Sequence, residues 1–269
     1  MKNEMPLPAT KLSGRASGDT APTPARSTLS RRGILSLALA TLGVPLLLAA
    51  ANAPGQITWT FDRLDRIGGA ATTIFGEPKI IDSPVGKAVE FDGVDDSLLI
   101  EQHPLAGAAT FTFEAIFRPD GGVFEQRWFH LAEIDPKTGL STSQTKTTNE
   151  PNARFLFEIR VLEGKQWYLD SFMNGPGYNK ALMFRDKLHP VGEWFHVAQT
   201  YDGRMFRSYV NGVLQGEAEV TGFKPQLPGR AAVGMRMNKV HYFKGAVAQA
   251  RFTPRALAPS EFIKPPAQK

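Results

Sequence analysis

From residue 54 onward, hydrophobic and polar positions alternate in short bursts. In residues 110–118 (TFTFEAIFR) Phe111 and Phe113 fall on one face, and Thr110 and Thr112 on the other. That period of two marks a strand with one buried side. Further strands are predicted over 58–61, 72–75, 87–91, 97–100, 127–134, 154–161, 166–170, 181–184, 231–234 and 242–252. No apolar stripe keeps the helical period over a useful length. Only 260–263 suggests a closing helical turn, which Pro265 and Pro266 end. Many short strands separated by turns predict an all-β sandwich or barrel.

The strongest local pattern is WFHVAQTYDGRMFRSYVNGV, from residue 194. Asp202-Gly203 and Asn211-Gly212 each favour positive backbone dihedrals, so each predicts a two-residue type I′ hairpin turn. Residues 204–210 between them would reach roughly 23 Å, one strand across a domain. Residues 194–201, 204–210 and 213–220 are therefore predicted as a three-stranded antiparallel meander. On that reading Asp202 belongs to turn chemistry. His196 sits mid-strand, on the face of Trp194 and Ala198, and needs no reactive role.

The N-terminal region differs in composition. Residues 1–29 are polar and rich in Pro, Ser, Thr and Ala. Ser30-Arg31-Arg32-Gly33 then leads into an apolar run that ends in small residues, Ala49-Ala50-Ala51-Asn52-Ala53. Paired arginines before a moderately apolar segment resemble a bacterial twin-arginine export signal, with Ile34 and Ser36 where the favoured pattern has Phe and Lys. The expected organisation is a disordered polar region over 1–29, the signal over 30–53, one β domain over 54–264 and a tail over 265–269. Cleavage is expected after Ala51, because a cut after Ala53 would face Pro54. The domain is then exported, to the periplasm or outside the cell. Contact with a membrane is expected only through the leader, if it stays uncut.

The leader also accounts for the charge. The whole chain is +5, but residues 1–51 hold six of its 31 Lys and Arg and two of its 26 Asp and Glu. The remainder carries 25 basic against 24 acidic residues and is +1. Overall basicity is thus no argument for nucleic acid, and none is expected as a partner. The absence of cysteine excludes disulfides, a thiol nucleophile and cysteine-ligated zinc.

With the meander in place, Trp194-Phe195-His196-Val197-Ala198-Gln199-Thr200-Tyr201-Asp202-Gly203 followed by Tyr209-Val210-Asn211-Gly212 resembles the laminin-G-like jelly-roll domain of the concanavalin A-like lectin/glucanase superfamily. Residues 86–96 (GKAVEFDGVDD), 111–115 (FTFEA), Phe243-Lys244-Gly245 and 255–261 (RALAPSE) are similar to other blocks of that family, in the same order. The resemblance runs from about Thr58 to Phe262 and implies an antiparallel jelly-roll sandwich of two sheets. The run Val247-Ala248-Gln249-Ala250 lacks the acids of the family's usual Ile-Asp-Glu-Val strand.

The resemblance permits calcium at a loop, and Asp92, Asp95 and Asp96 are the candidate oxygen ligands. The competing reading is a solvated turn whose aspartates bond their own backbone. Glu133-Ile134-Asp135 is similar to a glucanase strand on this fold, but Lys137 and Thr138 stand where a second carboxylate would be needed. Tyr242-Phe243-Lys244 with Gln249 is similar to a polysaccharide-lyase strand, with Val247 or Ala248 in place of its tyrosine. The five histidines show no paired metal spacing. Sugars stack on exposed aromatic rings, and Tyr178, in the Gly- and Asn-rich segment 174–179, and Trp167 are the candidates for that role. The polar insertion 136–153 is a second loop of functional length. The expected function is non-catalytic recognition of carbohydrate or a cell-envelope partner through loops. The alternatives are a polysaccharide lyase or glycoside hydrolase on the same fold, and a structural or adhesion module.

Overall fold

The computed structural model describes residues 55–141 and 153–267. The polar region and export signal, most of the polar insertion and the end of the tail lie outside them. The described strands are, in chain order, β1 (Ile57–Thr60), β2 (Arg66–Ile67), β3 (Ala70–Phe75), β4 (Lys79–Ser83), β5 (Gly86–Asp92), β6 (Ser97–Ile100), β7 (Phe111–Pro119), β8 (Glu125–Glu133), β9 (Arg154–Leu162), β10 (Gln166–Gly175), β11 (Tyr178–Met183), β12 (His189–Pro190), β13 (Phe195–Tyr201), β14 (Met205–Val210), β15 (Val213–Glu219), β16 (Gly229–Val233) and β17 (Lys244–Thr253). A 3₁₀ turn, Pro259–Glu261, is the one helical element among the described residues.

Every pairing is antiparallel, and the strands form two sheets. The first runs β15-β14-β13-β7-β17-β5-β4, with β1 also on β17; the second runs β11-β10-β9-β8-β16-β6-β3-β2, with β12 on β10. This is the two-sheet jelly-roll sandwich that the resemblance implies. Aromatic side chains on alternate positions fill the space between the sheets. Phe113 of β7 stacks on Phe157 of β9 with centroids 3.9 Å apart, Phe117 stacks on Trp128 at 4.5 Å, and Trp59 meets Phe252 edge-on at 4.8 Å.

The meander forms as predicted. Asn211 (φ 48) and Gly212 (φ 78) both adopt the positive dihedrals of a type I′ turn. The Asp202-Gly203 connection is different. Only Gly203 has positive φ, and Tyr201 pairs with Phe206, so the loop is wider than two residues. Its cause is the Asp202 carboxylate, which accepts N–H from Arg204 (2.9 Å) and Met205 (2.7 Å) and so builds an Asx turn. The segment 174–179 also departs from its reading as a loop. Gly175 pairs with Tyr178 across Pro176-Gly177, and Gly177 at φ 88 with proline before it suits a type II turn. β10 and β11 are thus a tight hairpin.

Candidate functional site

The two candidate sugar-stacking rings are in the core. Trp167 is fully buried against Phe117 and Phe195, and its indole N–H donates to the Pro190 carbonyl at 3.0 Å. Tyr178 is 5% exposed and packs on Phe223, and burial pushes its hydroxyl up to about 12. Neither ring offers a face to a sugar. His196 and Asp202 are likewise apart in role. His196 is fully buried mid-strand and meets Glu114 at 3.0 Å, while Asp202 holds its turn.

Asp92, Asp95 and Asp96 do come together, with one ligand atom of each within 4.8 Å of the others. Their oxygens are largely engaged by the backbone. Asp92 Oδ1 accepts N–H from Val94, Asp95 and Asp96 at 2.8–3.3 Å. Asp96 accepts from Glu77 through Oδ1 and from Asp92 through Oδ2. Burial raises Asp96; for Asp92 burial works the same way, but the backbone donors outweigh it and hold the carboxyl below its ordinary value. Hydrogen bonding accounts for this loop's shape. Glu133 and Asp135 are a strand end and a turn, accepting N–H from Leu227 and Lys137 respectively. Lys244 begins β17 in the first sheet, and Glu133 ends β8 in the second, so the two enzyme candidates do not share a face.

The second sheet carries a site that the sequence reading did not assemble. On its outer face, side chains from four adjacent strands line up in rows. Arg127 of β8 lies opposite Glu158 of β9, which lies opposite Asp170 of β10, which lies opposite Met183 of β11. The next row is His130, Leu156, Phe172 and Ala181. Arg154 lies beyond it, between Ala132 and Asn174, and Arg160 on the other side, between Glu125 and Tyr168. Arg127 and His130 are three residues apart yet share this face. The register shifts between Arg127 and Phe129, and this bulge turns both Trp128 and Phe129 inward.

Together with Arg236, from the loop after β16, these side chains line an open cleft of about 320 Å³. Its charges are paired unevenly. Arg127 forms ion pairs with Glu158 (3.1 Å) and Glu125; Arg160 reaches Glu158 (3.2 Å), Asp170 (2.5 Å) and Glu125 (3.4 Å). Burial pushes Glu158 up to about 7 and raises Asp170, against the pull of the arginines. Burial, with Arg236 alongside, lowers Arg154 to about 10, and burial with Arg127 nearby lowers Arg236. The Arg154 guanidinium lies over the Phe172 ring at 5.1 Å, and Arg160 over Phe124 at 5.8 Å. Phe124, beside Arg160, is 54% exposed, which makes it the outward-facing aromatic that Trp167 and Tyr178 are not. His130 is fully buried on the same face. Its Nδ1 accepts N–H from Met237 at 3.0 Å, so its proton sits on Nε2, which has no hydrogen-bond partner.

Comparison with solved structures returns the same architecture. Domain 4 of an extracellular arabinanase from Geobacillus stearothermophilus, solved with arabinotriose, aligns at a TM-score of 0.53 and 19% identity, covering 76% of this chain and 94% of that one. The binding domain of Paraclostridial Mosquitocidal Protein 1 aligns at 0.53 and 14%, covering 77% of this chain and 50% of the other. A Trypanosoma rangeli sialidase solved with sialic acid aligns at 0.51 and 14%, covering 79% of this chain and 33% of the sialidase. At these identities the likeness is one of fold. No curated protein matches the chain in sequence. The family model Laminin_G_3 matches residues 92–262, well over half the chain, and so the chain belongs to that family of the concanavalin A-like lectin/glucanases superfamily.

Proposed function

We propose that this protein is an exported, non-catalytic module that binds carbohydrate on the outer face of its second sheet. The observation that carries the reading is the open cleft, which sets phenylalanine rings beside a row of arginine side chains. Sugars present apolar C–H faces and polar edges together, and such a surface answers both. The arabinanase domain bound to arabinotriose and the sialidase bound to sialic acid support the reading by analogy of fold. Recognition moves from the loops, where the sequence pointed, to a sheet face.

The enzyme alternative would have to draw on Glu158 and Asp170. Both are 3% exposed and both are tied to Arg160, whereas a hydrolase needs its carboxyls reachable from opposite sides of a glycosidic bond. A glycan array probed with the full chain tests the proposal, alongside release of reducing ends or unsaturated products from the bound polymers. Binding without turnover, weakened by Phe124→Ala or Phe172→Ala, is the expected result. Turnover that is lost in Glu158→Gln would end the non-catalytic reading.

Export through residues 30–53 belongs to the same proposal. Arg31→Lys with Arg32→Lys should retain the protein in the cytoplasm on fractionation; unchanged export would reject the twin-arginine route. Calcium at Asp92, Asp95 and Asp96 is proposed only for the oxygens left over by the backbone bonds, chiefly those of Asp95. Equal melting temperatures in calcium and in chelator would remove it.

A further inference from the structure

We infer that the ligand of this cleft is an acidic saccharide, held through a carboxylate or sulfate group by Arg236 and its arginine neighbours. The inference rests on the glycan reading above and narrows it to a chemical class. Among the described residues, the guanidinium groups of Arg127, Arg154, Arg160 and Arg236 line the cleft with the carboxyl groups of Glu158 and Asp170, and Glu125 pairs with Arg127 and Arg160 beside it. All three acids are engaged by Arg127 and Arg160. Arg236 makes no ion pair among the described residues, and its Nε has no hydrogen-bond partner although it is buried. A half-buried guanidinium with no carboxylate in direct contact is costly, and a bidentate anion recovers that cost when it arrives.

A second polar group on this face also lacks a partner. The His130 Nε2–H is a buried donor with nothing to donate to, on the same sheet face as Arg127. The guanidinium carbons of Arg154 and Arg160 lie 5.1 and 5.8 Å from the centroids of the Phe172 and Phe124 rings, so cationic and aromatic groups alternate on this face. The apolar parts of the lining, Leu156, Phe172 and Met183, suit the C–H face of a sugar ring better than a second charged group. Nucleic acid is the poorer fit. Outside its leader the chain is only +1, without the extended basic field that draws a polyanion.

The test is calorimetric titration of the full chain with matched oligosaccharides. One arm uses oligouronates as free acids and as their neutral methyl esters. A second uses sulfated oligosaccharides and their desulfated forms. A third uses neutral arabino- and gluco-oligosaccharides, and a fourth duplex DNA and polyglutamate. Binding in the first or second arm should weaken by about tenfold or more on esterification or desulfation, fall with salt, and weaken similarly in Arg236→Gln at an unchanged melting temperature. Which arm binds names carboxylate or sulfate as the source. Neutral and acidic sugars binding equally would overturn this inference and leave the glycan reading standing. Binding of DNA or polyglutamate alone would overturn both, as would binding in no arm.

Discussion

The outer faces of the two sheets handle buried charge in opposite ways. On the first sheet Glu114 is fully buried, yet it accepts from His196 Nε2 (3.0 Å), from the Arg251 guanidinium and from the Ile263 N–H (2.7 Å). The segment after β17 lies across this face and seals it. Thr112 Oγ1 donates to the Arg255 carbonyl and accepts from the Leu257 N–H, both at 2.8 Å, while Phe262 packs on His196 and Tyr209. On the second sheet, among the described residues, Arg236 makes no ion pair and the cleft is open. The first face is neutralised by the chain's own C-terminal segment. On the second, Arg236 has no such neutralising partner among the described residues. On the reading proposed above, the sealed face serves folding and the open one binding.

The comparison sharpens first at Glu114. Glu114→Ala leaves Arg251 without its carboxylate and orphans the Ile263 N–H, so the loss should be large, about 3–5 kcal/mol in urea unfolding. A loss under about 1 kcal/mol would mean that the sealed face is not held by this carboxylate. Thr112→Val is the next largest. It keeps the shape but removes the hydroxyl that joins β7 to the C-terminal segment, costing about 1–3 kcal/mol because the Leu257 N–H is left unpaired. Amide exchange should accelerate over residues 255–263 while the β8–β11 sheet stays protected; uniform acceleration would argue against a separately fastened segment.

Much of the first face was legible in the sequence, and little of the second. The alternation of Phe111 and Phe113 with Thr112 and Glu114 marks both sides of β7, and Asn211-Gly212 fixes the meander that sets His196 beside it. These signals are local. The cleft depends on pairing across strands: Arg127, Glu158 and Asp170 meet only through register, and Arg236 arrives from a loop far along the chain. The bulge at Trp128 also hides the pattern, because two successive aromatics turn inward there. One signal was available. In β9 the positions alternating with Phe155, Phe157 and Ile159 are Arg154, Leu156, Glu158 and Arg160, a charged stripe on a strand buried along its other side. Tyr178 misled because Pro176-Gly177 looks like an open loop, whereas the turn is tight and the next side chain is already in the core.

The pH dependence separates the faces next. Burial raises Glu158 from the ordinary glutamate value to about 7 in the folded protein. Between about pH 4.5 and 7 the folded carboxyl keeps a proton that the unfolded one has lost, so its contribution to stability declines as pH rises through that window and levels off above it. Burial lowers His103 to about 4 and His130 well below its usual range. Those histidines act in the opposite sense, losing stability as pH falls below about 6.5. Glu158→Gln should therefore remove the decline toward neutral pH, on the order of 1 kcal/mol, and leave the acid-side loss unchanged. The same ionisation adds a negative charge to the cleft, so affinity for an acidic ligand should weaken from pH 6 to 8 in the parent protein and hold steady in the variant. Parallel pH profiles of stability for the two proteins would contradict the raised carboxyl.

The smallest expected effect on stability is the most telling for the open face. Arg236→Gln removes a charge with no ion-pair partner among the described residues that sits near Arg127 and Arg154, whose electrostatic influence on one another is unfavourable. Unlike Glu114, its loss breaks no ion pair, and the favourable influence of Glu158 and Glu125 that is lost offsets part of the repulsion relieved. The change in unfolding free energy should lie within about 0.5 kcal/mol, with the sign tending toward stabilisation because repulsion is relieved. Urea unfolding of the two proteins at low salt, where that repulsion is least screened, measures it. A clear destabilisation would show that Arg236 helps to hold the fold, and would place the second face in the same class as the first.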